Sequence, residues 1–428
     1  MATSSKLSPE SAAIVNIGKI VSGDFNRGVI DGSSILIENG KISAIGEPGE
    51  IEAKQAGKII DANGMVVCPG FIDPHVHVSF DDYAPMQRAV GFMEESLLWG
   101  TTTLISEGEQ GSGLPRFYDF DPVGVKLTAM LAKRVYHNFR PGGALKVHAG
   151  AIVLARGLTE GDFKEMAEAG IWLVGEIGGG GLAVVDEVLP MVDWARKYKM
   201  LVSVHYGPRL IPGATTMSTD AVLRINPDKV AHANGGTTAG SLEQTRDLIE
   251  KSRMALELVT YGNPKMKHQI VQILKKRNEL GRLILGSDCP TGQGYMPTAM
   301  QRGIITISSI DDVPAEKVIA MATGNTADLY HLNTGKIEVG RDADIIIIDK
   351  PPGSSGEDAL DAIQLGDTFG TAMIMVDGQP VGLRGRDTRP ITKNIKINGV
   401  DYWTSDINEY LFDPPRLHYR SLPGNLQH

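Results

Sequence analysis

The stretch Leu158-Thr-Glu-Gly-Asp-Phe-Lys-Glu-Met-Ala-Glu-Ala-Gly170-Ile-Trp-Leu-Val-Gly-Glu176-Ile177 decides the fold. Its first half reads as a helix: Thr159 stands as N-cap, the first turn is acidic, and Gly170 is a C-terminal stop. Its second half, Ile171–Ile177, is a short apolar β-type run interrupted only by Gly175 and Glu176. Working outward, the same alternation recurs. Eight such runs appear in order: Met65–His77, Thr101–Glu107, Lys146–Ala149, Ile171–Ile177, Leu201–Tyr206, Lys229–Ala233, Met254–Thr260 and Leu283–Asp288. Strand–helix alternation predicts a parallel sheet, and eight units over ~220 residues match a closed (β/α)8 TIM barrel. The alternative is an open doubly wound sheet, but no Gly-x-Gly-x-x-Gly fingerprint follows the first strand.

The two ends of the chain read differently. Ile14-Val-Asn-Ile17, Ser34-Ile-Leu-Ile-Glu38 and Lys41-Ile-Ser-Ala-Ile45 are β-rich, and Asn39-Gly40 is a two-residue hairpin signal. A similar reading returns in Ala343–Asp349 and Thr371–Gly378. The expected fold class is α/β, a barrel with a small composite β-sandwich built from both chain ends. The expected divisions are 1–67 and 338–392 for the sandwich, 68–337 for the barrel, and an irregular tail over 393–428.

Composition narrows the classes. Hydrophobic residues at 42 % and charged residues at 22 % of 428 suit an ordinary globular protein large enough for a main core and an accessory domain. A net charge of −9 offers no basic surface, which argues against nucleic acid as a partner. Residues Met1 to Ala13 lack the apolar core of a secretory signal, and no apolar run approaches the roughly 20 residues that span a bilayer. With only Cys68 and Cys289, no disulfide framework can be read, and a reducing cytoplasm is expected.

The chemistry is concentrated at strand ends. His75 and His77 end the first run, Glu176 the fourth, His205 the fifth, His232 the sixth and Asp288 the eighth. Residues at the C-terminal ends of barrel strands face the active-site mouth. The i, i+2 spacing of His75 and His77 puts both imidazoles on one face of a strand. Imidazoles with carboxylates suit a divalent borderline metal such as zinc. Six ligands exceed what one catalytic ion with an open position takes, so they divide between two ions, with the two-oxygen carboxylate of Glu176 as the bridge. Two ions sharing a site hold a bridging water and lower its pKa toward neutrality. One histidine in a β-rich run is more often structural than a ligand. Six metal-competent side chains at the same end of the strands are another matter.

The remaining candidates are weaker. His148, near the end of the third run, could contact substrate, as could Tyr136 and Arg140, which cluster with His137 before it, Arg140 being able to clamp a carboxylate in bidentate fashion. A rim histidine and a solvated loop are the competing readings. His268, His331, His418 and His428 read as structural or surface residues, and Cys289 as a packed barrel residue.

The run Pro69-Gly-Phe-Ile-Asp73-Pro-His75-Val-His77 resembles the opening signature of the amidohydrolase superfamily. Asn325 and Leu332-Asn-Thr-Gly335-Lys-Ile-Glu-Val-Gly-Arg-Asp-Ala-Asp344 resemble that superfamily's return from barrel to sandwich, so the likeness spans roughly residues 14 to 390. Within the superfamily the chain is most similar to the enamidase group, on segments such as Lys146-Val-His148, Val174-Gly-Glu176, Ile211-Pro-Gly213, Asn234-Gly-Gly236 and Met321-Ala-Thr-Gly-Asn325. Many members bridge their metals with a carbamylated lysine on the fourth strand, and here that position is Glu176, as in the enamidase group. The resemblance implies His75, His77 and Asp288 on one ion, His205 and His232 on the other, Glu176 between them, and iron paired with zinc. It further implies that a metal-bridging hydroxide opens a cyclic enamide such as 6-oxo-1,4,5,6-tetrahydronicotinate, with Asp288 shuttling the proton and ammonia released. A homo-oligomer is expected by analogy. Tyr206-Gly-Pro-Arg-Leu210 and the longer tail depart from the group's pattern and bear on the substrate.

Three rival functions stand beside this one. One is hydrolysis of another cyclic amide or imide, as in dihydropyrimidinase-like enzymes, or of an isopeptide. Another is deamination, against which the positions three after His205 and His232 hold Pro208 and Gly235 rather than glutamate. The last is a metal-free scaffold, which typically loses ligands.

Overall fold

The computed structural model describes residues 10–47, 55–77, 91–108, 121–139, 145–209, 215–290, 296–384 and 388–401. The chain forms two compact units, one of Met1–Phe71, Ser96–Thr102 and Ile304–His428, the other of Ile72–Glu95 and Thr103–Gly303.

The first unit is a β-sandwich. Its N-terminal strands are β1 (Ala12–Val15), β2 (Lys19–Val21), β3 (Val29–Ile30), β4 (Ser34–Glu38), β5 (Lys41–Gly46), β6 (Lys58–Asp61) and β7 (Val66–Pro69). The chain returns to it with β16 (Ile345–Asp349), β17 (Gly370–Val376), β18 (Gln379–Leu383), β19 (Lys396–Ile397) and β20 (Val400–Asp401). Two six-stranded sheets result, ordered β20-β19-β6-β1-β4-β5 and β18-β17-β16-β7-β2-β3. Each sheet contains strands from both ends: β16 pairs antiparallel with β7, and β19 with β6. Alternate side chains of the two sheets meet in one core, Ile14, Ile35 and Ile60 from the first against Ile20, Val67, Ile345, Ile347 and Met373 from the second. The Asn39-Gly40 hairpin forms between β4 and β5 with both residues at positive φ, 52° and 75°, the geometry that Asn-Gly adopts at least cost. The expected irregular tail begins otherwise than anticipated. Lys396–Asp401 forms a small hairpin whose first strand extends the sheet beyond β6.

The second unit holds most of the barrel. Its strands are β8 (Phe71–Val76), β9 (Thr101–Ser106), β10 (Lys146–His148), β11 (Leu173–Ile177), β12 (Leu201–His205), β13 (Lys229–Ala231), β14 (Ala255–Val259) and β15 (Leu283–Gly286). They lie in chain order as β8 to β10 and β11 to β15. Parallel bridges Ile152↔Val174 and Val76↔Cys289 join these two runs at both seams and close the ring. A helix follows each strand: Phe92–Leu98, Pro122–Phe139, Glu160–Glu168, Val185–Lys197, Thr219–Ile225, Leu242–Lys251, Pro264–Arg277 and Ala299–Asp311. The helix that opened the reading starts directly after Thr159, whose amide and hydroxyl both donate to Asp162 Oδ2 at 2.7 and 2.8 Å. Gly170 follows it at φ 84°.

One expected strand divides. Met65–His77 is two strands, β7 in the sandwich and β8 in the barrel, separated by Gly70. A Cβ at Gly70 would lie 2.2 Å from the Thr102 hydroxyl, so the main chain passes there only because no side chain is present. Among the described residues no helix is long and apolar enough to cross a membrane. Cys68 and Cys289 are both buried free thiols.

Candidate metal centre

Six side chains read as candidates converge in the barrel as two triads, His75 with His77 and Asp288, and Glu176 with His205 and His232. In each triad the potential ligand atoms lie within 4.8 Å of one another. All six residues are buried. His75 Nε2 stands 3.5 Å from Asp288 Oδ1, and His77 Nε2 stands 3.4 Å from the same oxygen. Glu176 Oε2 lies 3.2 Å from His205 Nδ1, 3.0 Å from His232 Nε2 and 3.9 Å from His75 Nε2. This one oxygen therefore stands between the two triads.

The local fold explains the convergence. Asp73 Oδ1 accepts from the amides of His75 and Ser287, at 3.2 and 3.0 Å, tying the end of β8 to the loop after β15. The Asp288 amide donates to His75 O at 3.0 Å, and the His77 amide to Cys289 O at 3.0 Å. Asp288 itself sits at φ 62° and His232 at φ 33°, left-handed conformations uncommon outside glycine and asparagine. Two strands thus turn sharply at candidate side chains, a form of strain that clusters at functional sites. After His232, Asn234 presents its side-chain amide to Val259 as a backbone would, Oδ1 accepting at 2.9 Å and Nδ2 donating at 3.0 Å. Gly179 presses on Glu176 from the following loop, where a Cβ would stand 2.5 Å from Oε1.

The electrostatics suit cations. Burial alone would raise the Glu176 carboxyl, but His205 and His232 hold it well below the usual range. Burial would likewise lower His75, yet Glu257, Asp288 and Glu176 push it up to about 10. His232 is also raised, because Glu176 outweighs the burial that would lower it, whereas burial and the neighbouring His232 lower His205. His75 Nε2 is buried with no hydrogen-bond partner. In the other triad, two ring nitrogens 2.9 Å apart and a carboxylate oxygen all offer lone pairs to one point. An orphaned ring nitrogen beside carboxylates and a cluster of converging acceptors fit divalent ions with N and O ligands.

Of the weaker candidates, His148 and Tyr136 fall among the described residues. His148 packs edge-on against Trp172, with ring centroids 5.5 Å apart, and burial with nearby Lys133 and Lys146 lowers it to about 4. Lys133 belongs to the outer helix Pro122–Phe139. Tyr136 lies in the last turn of the same helix, which leads toward the start of β10 rather than its end. Arg140 lies outside the described residues, as does the His137 side chain. His268 and His331 are exposed, and His418 and His428 lie outside the described residues. Tyr206, in the departing loop after β12, is buried with its hydroxyl 3.3 Å from Thr219 Oγ1 and 3.4 Å from Thr245 Oγ1, both on outer helices.

Sequence reading passed over three charged residues beneath the triads. Glu257 Oε2 accepts from His75 Nδ1 at 2.6 Å and from the His232 amide at 3.1 Å. Its Oε1 accepts from Lys229 Nζ at 3.1 Å, and Lys229 also donates to Glu107 Oε1 at 2.7 Å and Pro74 O at 3.0 Å. Burial would raise the Glu257 carboxyl, but Lys229 and His75 draw it down to about 2. The signal was present: Lys229 and Glu257 are charged residues inside apolar runs, and burial of a charge is tolerated only with a partner.

Known proteins carry the same organisation. The chain is 43 % identical over 387 residues to enamidase of Eubacterium barkeri, covering 90 % of this chain and 98 % of that protein. It superposes on the crystal structure of enamidase with a TM-score of 0.86 and 41 % identity, covering 90 % of this chain and all of the other. A D-hydantoinase structure shares the fold at a TM-score of 0.62 and 17 % identity, with 86 % and 94 % covered. The Amidohydrolase family profile matches residues 66–381, from β7 through the whole barrel to β18. With that match and the enamidase likeness over nearly the full length, the chain belongs to the amidohydrolase family.

Proposed function

We propose that this hydrolase opens a cyclic amide of the kind enamidase acts on, at a centre of two divalent ions. His75, His77 and Asp288 hold one ion, His205 and His232 the other, and Glu176 stands between them. Zinc suits both positions, with iron the alternative at one. Bound there, the ions supply Lewis acidity toward the amide carbonyl and make a water nucleophilic near neutral pH. The observation that carries the reading is Glu176 Oε2, within 3.2 Å of both His205 Nδ1 and His232 Nε2 and 3.9 Å from His75 Nε2.

The protein's own residues do the rest. Asp288 takes the proton of the attacking water and returns it to the leaving nitrogen, base first and acid second. Its backbone, held at φ 62° by the hydrogen bond its amide donates to His75 O, aims the carboxylate at the two β8 imidazoles. With a cyclic enamide, C–N cleavage yields a carboxylate and an enamine, which tautomerises to an imine, takes up a second water and frees ammonia.

The test is ammonia release from 6-oxo-1,4,5,6-tetrahydronicotinate by protein purified without oxygen. Release with ring opening is expected. Metal-loaded protein that leaves this compound intact but opens dihydrouracil or a hydantoin would overturn the substrate class and favour the dihydropyrimidinase-like reading.

A further inference from the structure

We infer that Glu257, fixed by Lys229, is a positioning residue that serves both metal triads at once, setting the tautomer of His75 and the backbone of His232. The inference rests on the two-ion reading above and deepens it. One carboxylate oxygen of Glu257 meets the ring of a ligand in the first triad and the main chain of a ligand in the second. Glu257, Lys229 and His75 are each 0 % exposed, so water does not compete for these contacts.

With an ion on His75 Nε2, the geometry leaves one proton arrangement. Lys229 can only donate, and it points at Oε1 of Glu257. Oε2 then receives Nδ1–H of His75, which leaves Nε2 as the lone-pair nitrogen facing Asp288 and Glu176. Carboxylate partners on the outer nitrogen of a ligand histidine fix its orientation and raise its basicity. The same oxygen holds the amide of His232, whose φ of 33° would otherwise relax. Space for the carboxylate exists because residue 286 is glycine: a Cβ there would stand 2.7 Å from Glu257 Oε1 and 3.1 Å from His75 Cβ.

Glu257→Gln is the decisive variant, because its amide has one acceptor and one donor end. Lys229 claims the oxygen, which turns the NH2 toward His75 Nδ1. The ring proton must then move to Nε2, where it blocks ligation. Loss of the partner that orients a ligand histidine typically costs about 10- to 100-fold in metal affinity, and chelator competition followed by elemental analysis should read that loss. Adding Lys229→Met frees the glutamine oxygen to face His75. The double variant E257Q/K229M should therefore bind metal more tightly than E257Q alone, whereas a merely structural role makes the second change additive damage.

Wild type without stoichiometric metal would overturn the two-ion reading itself. Wild type with two ions and E257Q with an unchanged chelator midpoint would overturn this inference alone, as would a double variant weaker than the single one. If the variants do not fold, histidine-labelled zinc-loaded wild type decides the question by nitrogen NMR. A strongly hydrogen-bonded Nδ1–H on a histidine ligated through Nε2 is expected, and the opposite pattern refutes the assignment.

Discussion

His205 Nδ1 and His232 Nε2 lie 2.9 Å apart, each also within 3.2 Å of Glu176 Oε2. At most one proton can be shared between two ring nitrogens at that distance, so without a cation three lone-pair atoms crowd one point. His232→Ala removes one of these three atoms. Its metal content should fall from two ions per chain to about one, since a site with only two remaining protein ligands is short of the usual three. Elemental analysis after gel filtration checks this, and an unchanged count would remove His232 from the centre.

Asp288→Asn separates binding from turnover. The amide oxygen still faces His75 and His77, but it no longer accepts a full proton. Loss of a general acid–base group costs about 10²- to 10⁴-fold in rate. Metal content within the wild-type range with that loss is expected, and near-full turnover in the variant would assign the proton transfer elsewhere.

Asp73 offers a pH readout. Burial pushes its carboxyl up to about 6 despite the hydrogen bonds from Ser287 and the His75 amide. A carboxyl whose folded pKa lies above its unfolded value of about 3.9 binds its proton more tightly when folded. Its favourable contribution is therefore full below about pH 4 and is lost as pH rises toward 6. Asp73→Asn has no such titration. Relative to wild type it should gain on the order of 1–3 kcal/mol between about pH 4 and pH 7, measured by denaturant unfolding of metal-free protein. A difference that stays constant with pH counts against a raised Asp73.

Gly179→Ala tests the support of Glu176. The glycine is not at positive φ, so the backbone tolerates alanine, but the new methyl would stand 2.5 Å from Oε1. Overpacking of this kind typically costs about 1–3 kcal/mol. Here the flexible carboxylate gives way first. Metal retention should drop while the unfolding midpoint moves by only a few degrees; retention equal to wild type would show that Glu176 does not depend on this loop.

Most of the barrel was legible because each strand carries its own boundary. Gly170 before β11 and Thr159 before its preceding helix are local signals, and local signals survive in a sequence. The six candidate residues were legible because polar side chains ending apolar strands are conspicuous. Glu257 and Lys229 were equally anomalous but do not end their runs, and their partners are remote: Glu107 just after β9 and His75 on β8. Only tertiary structure pairs them. The split of Met65–His77 is of the same sort, for nothing in the run itself reveals that Val66–Pro69 pairs with Ile345–Ile348. For His148 and Tyr136 the sequence gives only a position near a strand, which does not say which side of the sheet a ring faces.

The pairing of β7 with β16 and of β6 with β19 has a consequence for biosynthesis. On the ribosome the first seven strands emerge with their isoleucine-rich faces and edges uncovered, and their partners follow only after the entire barrel has been translated. Pairings this distant along the chain are slow to form and leave strand edges open to misassociation. The barrel is complete once the helix Ala299–Asp311 has emerged, whereas the sandwich must wait for β16 to β19, so premature termination after that helix would leave a barrel on an unfinished, aggregation-prone sheet.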